Sequence, residues 1–81
     1  MGFVYVYIPV SLLDPKRFYV GFTKDLMARL GNHNAGRVPH TAKFRPWRIK
    51  KAIAFADHQR AEQFEICLKR SSGRAFARKR L

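Results

Sequence analysis

With 81 residues, the chain has room for one hydrophobic core and no second domain, so each large apolar side chain is expected to serve that core. Hydrophobic residues make up 47% of it and aromatics 14%, too apolar for a disordered basic tail, which puts the charge on the outside of a folded body. Seventeen Lys and Arg oppose five Asp and Glu, a formal net charge of +12; an anionic partner relieves that repulsion, nucleic acid ahead of an anionic membrane, an acidic protein or a ribosomal surface.

The first ten residues carry no positive leader, and Val6 stands where a myristoylation signal after Gly2 needs Ser or Thr. Residues 3–8 read Phe-Val-Tyr-Val-Tyr-Ile. Phe3, Tyr5 and Tyr7 point to one face and Val4, Val6 and Ile8 to the other, and two apolar faces predict a central strand. The Asp14-Pro15 turn signal leads into a second short strand over residues 18–22, expected to fold back as a hairpin. Tyr19 and Gly21 then share a face, and Gly21 leaves space there for a ligand or a close backbone.

Thr23 is the expected N-cap of a helix over residues 24–34, with Asp25 in its first turn and Gly36 as its stop. Leu26, Leu30 and His33 stack on one stripe, and Arg29 lies one turn before His33 on the face that looks towards the sheet. Residues 36–48, punctuated by Pro39 and Pro46, predict a loop carrying Arg37, His40, Thr41, Lys43 and Arg45, whose charge density suits phosphate contact, while His40 and His58 carry no case of their own. A third strand is expected over residues 47–55, then a helix capped by Asp57 and running to about Arg70, then a short basic helix beginning at Gly73 and carrying Arg74. In the helix after Asp57, Ala61, Phe64, Cys67 and Leu68 span an arc of roughly 120°. Glu65 sits at the edge of that arc and Glu62 further out, so Glu65 is the acid drawn inward.

The lone Cys67 forms no internal disulfide and suits a reducing, cytoplasmic compartment, nucleoid-associated in a bacterium. With His33, His40 and His58 the only histidines, no zinc cluster of Cys and His can be assembled, and a metal is expected on oxygen ligands. The economical account is a single domain over residues 1–81 of α/β (α+β type) class: a small three-stranded antiparallel sheet flanked by about three helices.

Tyr7, Tyr19, Arg29, His33 and Glu65 converge on one face of this arrangement, a set able to hydrolyse a phosphodiester. A carboxylate such as Glu65 can hold one Mg2+ that keeps several waters. Arg29 can clamp phosphate oxygens as charge grows on them. A tyrosine needs help from both, because its ordinary pKa near 10 makes it a poor base at neutral pH. Each residue also has a plainer reading. Tyr5 and Tyr7 suit a core, Arg29 a solvated charge, His33 a cap, and Glu65 an ion pair with Lys69 four positions on.

At these residues the chain resembles the GIY-YIG nuclease superfamily, in particular short stand-alone members related to the catalytic modules of excision-repair and homing nucleases. Tyr5-Val6-Tyr7 is similar to the first signature and Tyr19-Val20-Gly21 to the second. Arg29 follows Tyr19 at the family's spacing, His33 opens the phrase His-Asn-Ala-Gly-Arg, Arg45-Pro46-Trp47 resembles the entry to the third strand, and Glu65 lies in a helix like the one that supplies the family's metal-binding glutamate. Tyr5 replaces the glycine of the first signature, and the segment between the signatures is about one residue longer than usual, an insertion that a hairpin loop tolerates.

The resemblance implies a DNA endonuclease using one Mg2+ or Mn2+, held by Glu65. Tyr7 and Tyr19 would position or deprotonate the attacking water, with Arg29 on the phosphate and His33 assisting. The expected partner is nucleic acid, DNA before RNA, contacted by Arg37, Lys43, Arg45, Lys69 and Arg74. With no room for a recognition module, action on DNA structure or with weak sequence preference is expected, and a protein partner for targeting stays open. The alternative is a non-cleaving nucleic-acid-binding module using the same basic surface.

Overall fold

The computed structural model describes residues 2–70; the expected helix from Gly73 and the phosphate contact from Arg74 lie outside them. Three strands, β1 (Val4–Ser11), β2 (Gly21–Thr23) and β3 (Trp47–Phe55), form an antiparallel sheet in the order β2-β1-β3. Three helices, α1 (Leu26–Asn34), α2 (Pro39–Ala42) and α3 (His58–Lys69), complete the α/β arrangement expected from the sequence. The third helix is α2, inside the segment expected to be a loop. Pro39 opens it, where a missing N–H costs no hydrogen bond.

β1 is central, as its two apolar faces require, but it continues past Ile8 to Ser11. The expected strand covers residues 3–8, and the residue that follows, Pro9, cannot donate to a ladder. The chain keeps the strand by shifting register between Ile8 and Pro9, leaving Lys50 as the extra residue of a bulge in β3. The second strand is shorter than expected: Gly21–Thr23 pair with β1, and Phe18 makes only an isolated bridge to Val10.

Val4, Val6 and Ile8 form the core with Val20 and with Ala61 and Leu68 of α3, and Phe18, Phe22, Phe55 and Phe64 pack around them. Asp57 caps α3 as expected, accepting from the backbone N–H of Gln59 at 2.9 Å. Cys67, expected in the core, is exposed. The inward stripe follows Ala61, Phe64, Glu65 and Leu68 at three- and four-residue steps, and Cys67 falls roughly 100° from Leu68 on the side away from it. The same rotation carries Glu65 onto the inward stripe.

The cap of α1 is Asp25, which accepts from the Ala28 N–H at 3.0 Å; Thr23 instead accepts from the Asp25 N–H at 3.1 Å. Thr23 is still paired with Tyr5 in the sheet, so the helix starts two residues later than the capping signal alone suggests. Gly36 ends α1 with φ at +78°, and the Arg37 and Gly36 N–H groups close back on the carbonyls of Asn32 and His33. This pair of bonds with a left-handed glycine is the Schellman arrangement. It fixes the end of the helix one turn beyond Arg29 and right beside His33.

Candidate active site

β2 has only three residues, so beyond Val20 the edge of the sheet is open, and side chains from α1 and α3 meet there. The resulting pocket, about 240 Å3, is lined by Tyr7, Tyr19, Gly21, Arg29, His33 and Glu65, joined by His40 and Lys69 at its rim. The five residues expected to form a catalytic set therefore line one cavity. Of the expected phosphate contacts, Lys69 joins them, whereas Arg37, Lys43 and Arg45 do not line the pocket. Arg37 donates to Asn32 Oδ1 at 3.0 Å, Lys43 lies 5.7 Å from the ring of Phe44, and Arg45 lies over Gly36.

Tyr7 stands opposite Gly21 in the register and is buried. A Cβ on Gly21 would lie 2.9 Å from its hydroxyl oxygen. The space expected beside Gly21 is thus filled by a tyrosine of the protein itself. Its hydroxyl reaches 3.5 Å from His33 Nε2, and the Tyr19 hydroxyl is in direct hydrogen bond with the same nitrogen. Tyr19 sits edge-on to Tyr7 at 6.2 Å and to Trp47 at 5.3 Å between ring centroids, which fixes its ring plane.

His33 is 3% exposed and has a defined tautomer. Thr41 Oγ1 lies 2.9 Å from His33 Nδ1 and 3.2 Å from the Val38 carbonyl. The carbonyl can only accept, so the Thr41 proton goes to it and its oxygen accepts from Nδ1–H. Nε2 of the neutral ring is then the lone pair offered to the tyrosine hydroxyls. Burial lowers the His33 pKa below its ordinary value of 6.5, and the positive charges of Arg29 and His40 lower it further. Burial also raises the Tyr19 pKa far above its ordinary value, with Tyr7 adding to the shift and Arg29 opposing it. Tyr19 is held as a phenol and His33 as a free imidazole, which makes the first the donor and the second the acceptor.

Two contributors were invisible in the sequence. Thr41 looked like one polar residue of a basic loop, but α2 buries it, and it orients His33 and takes the Trp47 indole N–H on its carbonyl at 2.9 Å. His40, for which the sequence offers no case, lines the pocket from the first residue after Pro39. Asn34 is a third positional surprise. Its side-chain amide exchanges two hydrogen bonds with the Trp47 backbone, at 2.6 and 3.1 Å, and locks the end of α1 to the start of β3.

The family model described as the GIY-YIG catalytic domain matches residues 3–80. The chain belongs to the GIY-YIG family. A UPF0213 protein of Lacticaseibacillus paracasei is 44% identical over 52 residues, which is 63% of this chain and 58% of that protein. The chain thus spans less than two thirds of that relative. No solved structure matches it. No helix among the described residues is long and apolar enough to cross a membrane.

The acid that lines the pocket is Glu65, whose side chain is 12% exposed and whose Oε2 lies 3.2 Å from Lys69 Nζ. The family is generally metal-dependent. Among the described residues, no group of three or more His, Cys, Asp or Glu side chains is placed to hold an ion. A single carboxylate facing a small polar pocket suits Mg2+, which binds through one or two carboxylates plus substrate phosphate and retains waters. The donor set fits that ion, provided Lys69 releases the carboxylate.

Proposed function

We propose that this chain is a divalent-metal-dependent endonuclease hydrolysing phosphodiester bonds in DNA, directed by DNA structure or by weak sequence preference. The observation that carries the reading is the neutral His33, its Nε2 turned towards two tyrosine hydroxyls in the pocket that Arg29 and Glu65 line. A structural core histidine needs no basic nitrogen aimed at a solvent-reaching pocket.

The residues divide the chemistry as follows. Water entering the pocket gives a proton to the Tyr19 oxygen as Tyr19 passes its own to His33 Nε2, so no free phenolate forms; the raised pKa of Tyr19 favours such a relay over a stored tyrosinate. The resulting imidazolium keeps its Nδ1–H on Thr41, which prevents the ring from turning away. Tyr7, packed against Gly21, keeps its hydroxyl 3.5 Å from Nε2 and fixes the depth of the ring. Arg29 provides a planar pair of donors for the phosphate oxygens as negative charge grows on them. Glu65 would hold an Mg2+ or Mn2+ ion, which when bound supplies charge neutralisation at the phosphate and a more acidic water.

A second reading, a GIY-YIG module that binds nucleic acid without cutting it, draws on the Glu65–Lys69 ion pair, which occupies the carboxylate an ion needs. One experiment separates the two. Labelled linear, nicked, flapped and branched DNAs are incubated with Mg2+ or Mn2+ and with wild type, Glu65→Gln or Arg29→Ala, each at concentrations where the DNA is bound. The nuclease reading expects metal-dependent cuts by wild type and a loss of at least about a hundredfold in each variant. Tight binding by wild type with no cut on any substrate sinks it in favour of the binding module.

A further inference from the structure

The pocket that holds the candidate catalytic set is too small for a nucleotide: about 240 Å3, below the ~300–1,000 Å3 usual for ligand pockets. It suits a phosphate and a few waters. The sugar and base on one side of that phosphate must go elsewhere. Next to it lies a cavity of about 500 Å3 that shares Tyr19, Val20, His40 and Lys69 with it and is otherwise walled by Arg17, Phe18, Thr41, Phe44 and Trp47. We propose that this second cavity is a nucleobase subsite, which stacks the base next to the phosphate to be cut between Arg17 and the aromatic wall. The proposal deepens the nuclease reading and rests on its placement of the phosphate.

The chemistry of the walls is that of base stacking. Four aromatic side chains, Phe18, Tyr19, Phe44 and Trp47, line it, and the Arg17 guanidinium carbon lies 4.6 Å from the centroid of the Phe44 ring. Planar guanidinium and aromatic rings are the two side-chain surfaces that stack on bases without reading their edges. Arg17 has an acid partner, Asp14, at 3.6 Å, but both side chains are largely exposed and such a pair holds weakly. Arg17 can therefore slide from the ring onto a base and keep its charge near the backbone.

The cavity is also built, in the sense that hydrogen bonds tie its walls together. Arg17 and Phe18 come from the β1–β2 loop and Phe44 from the segment before β3, far apart in sequence. Ser11, buried at the end of β1, joins them: its hydroxyl donates to the Phe44 carbonyl and accepts from the N–H groups of Leu13 and Asp14, and its N–H donates to the Arg17 carbonyl at 3.0 Å. Trp47 is pinned at its indole by Thr41 and at its backbone by Asn34. Walls held in this way leave the aromatic surfaces in place before a base arrives, which removes part of the ordering cost of binding. Because stacking accepts any base, the subsite adds affinity with little sequence preference, and it requires the base beside the cut to leave its stack.

The test compares two small probes by isothermal titration in EDTA, so that no cleavage enters: thymidine 3′,5′-bisphosphate and the base-less 2-deoxyribose 3,5-bisphosphate. Wild type is expected to bind the thymidine compound about 5- to 100-fold more tightly, the gain that stacking one base supplies. That preference should shrink several-fold in Arg17→Ala and in Phe44→Leu. Arg17 is exposed, so its variant folds even if the Phe44 change loosens the loop. Equal or undetectable binding of the two probes by wild type overturns the subsite, as does a preference unchanged in both variants. Failure of wild type to cut DNA in the presence of Mg2+ would instead overturn the nuclease reading and leave the measured base preference standing.

Discussion

Two glycines in this chain should respond to the same substitution with opposite signs, and the difference tests whether the wall of the candidate site is as tight as described. At Gly21 a new Cβ would meet Tyr7 at 2.9 Å from its hydroxyl oxygen, 3.0 Å from Cζ and 3.1 Å from Cε1. These are closer than ordinary contact, and Tyr7 is buried with no solvent to retreat into. Overpacking of this kind costs about 1–3 kcal/mol. At Gly31, in the middle of α1, nothing lies within 4 Å of the added methyl, and alanine is the better helix former by about 0.5–1 kcal/mol. In a domain of this size 1 kcal/mol moves Tm by about 4–8 °C. Gly21→Ala should therefore lower Tm by roughly 4–24 °C, and Gly31→Ala should raise it by roughly 2–8 °C. The assay is thermal unfolding followed by far-UV circular dichroism, with DNA cleavage measured well below both transitions. At that temperature Gly21→Ala should still cut poorly, because the ring it displaces carries one hydroxyl of the His33 pair, while Gly31→Ala should cut like wild type. A Gly21→Ala protein with unchanged Tm and unchanged cleavage would refute the packing of Tyr7 against this strand.

Thr41→Val removes the acceptor of His33 Nδ1–H and leaves a buried donor unpaired, at a cost of about 1–3 kcal/mol; urea unfolding should show that loss, with Thr41→Ser close to wild type. Stability should depend on pH through His33, whose folded pKa lies below its unfolded value near 6.5. The unfolded state then binds the proton first, so the stability of the neutral ring is complete above about pH 6.5 and is lost as pH falls through the folded value. Urea unfolding of wild type and His33→Gln over that range should show a slope in the first that flattens in the second. Lys69→Gln releases Glu65 from its ion pair in the free protein, and Mn2+ binding without DNA, read by isothermal titration, should tighten by roughly 2–5-fold, the range for a partly exposed pair; weaker binding would mean that Lys69 helps to seat the ion.

Much of this arrangement is legible in the sequence because local and long-range signals agree. The alternating strand from Val4, the Asp57 cap and the Gly36 stop all act where their residue types prefer to act. The sequence also places Tyr7, Arg29, His33 and Glu65 on surfaces that can meet, since each lies at a strand or helix position whose direction is set by period alone; Tyr19 lies before the short β2, next to the isolated bridge at Phe18. What local signals missed has a common origin in tertiary contact. Pro9 should end a strand, yet a bulge opposite it lets β1 continue and brings Ser11 beneath the neighbouring cavity. Thr23 and Asp25 are both good caps two residues apart, and pairing of Thr23 with Tyr5 decides between them. Thr41 and His40 gain their places from α2, a four-residue helix too short for any periodic signal.

The weight placed on Glu65 follows from how the other acids are used. The chain has five. Asp25 and Asp57 are committed at the N-termini of α1 and α3, where their carboxylates accept backbone N–H groups. Asp14 accepts from the Lys16 N–H in the β1–β2 loop and pairs with Arg17. Glu62 is exposed on the outer side of α3. Each of these four has a structural or solvent-facing place away from the pocket, and Glu65 alone among them lines it. In a chain of net charge +12 an acid on the inward stripe of a helix is costly unless something compensates it, and Lys69 does so in the free protein. The same pairing suits an acid that persists without an ion: a phosphate entering the pocket would compete with the carboxylate for Lys69 and would leave the carboxylate open to a cation. Substrate and ion would on this account enter as a pair. Since no second acid among the described residues lines the pocket, replacing Glu65 should abolish the response of DNA cleavage to Mg2+ outright, where a site with two carboxylates would show only a graded loss.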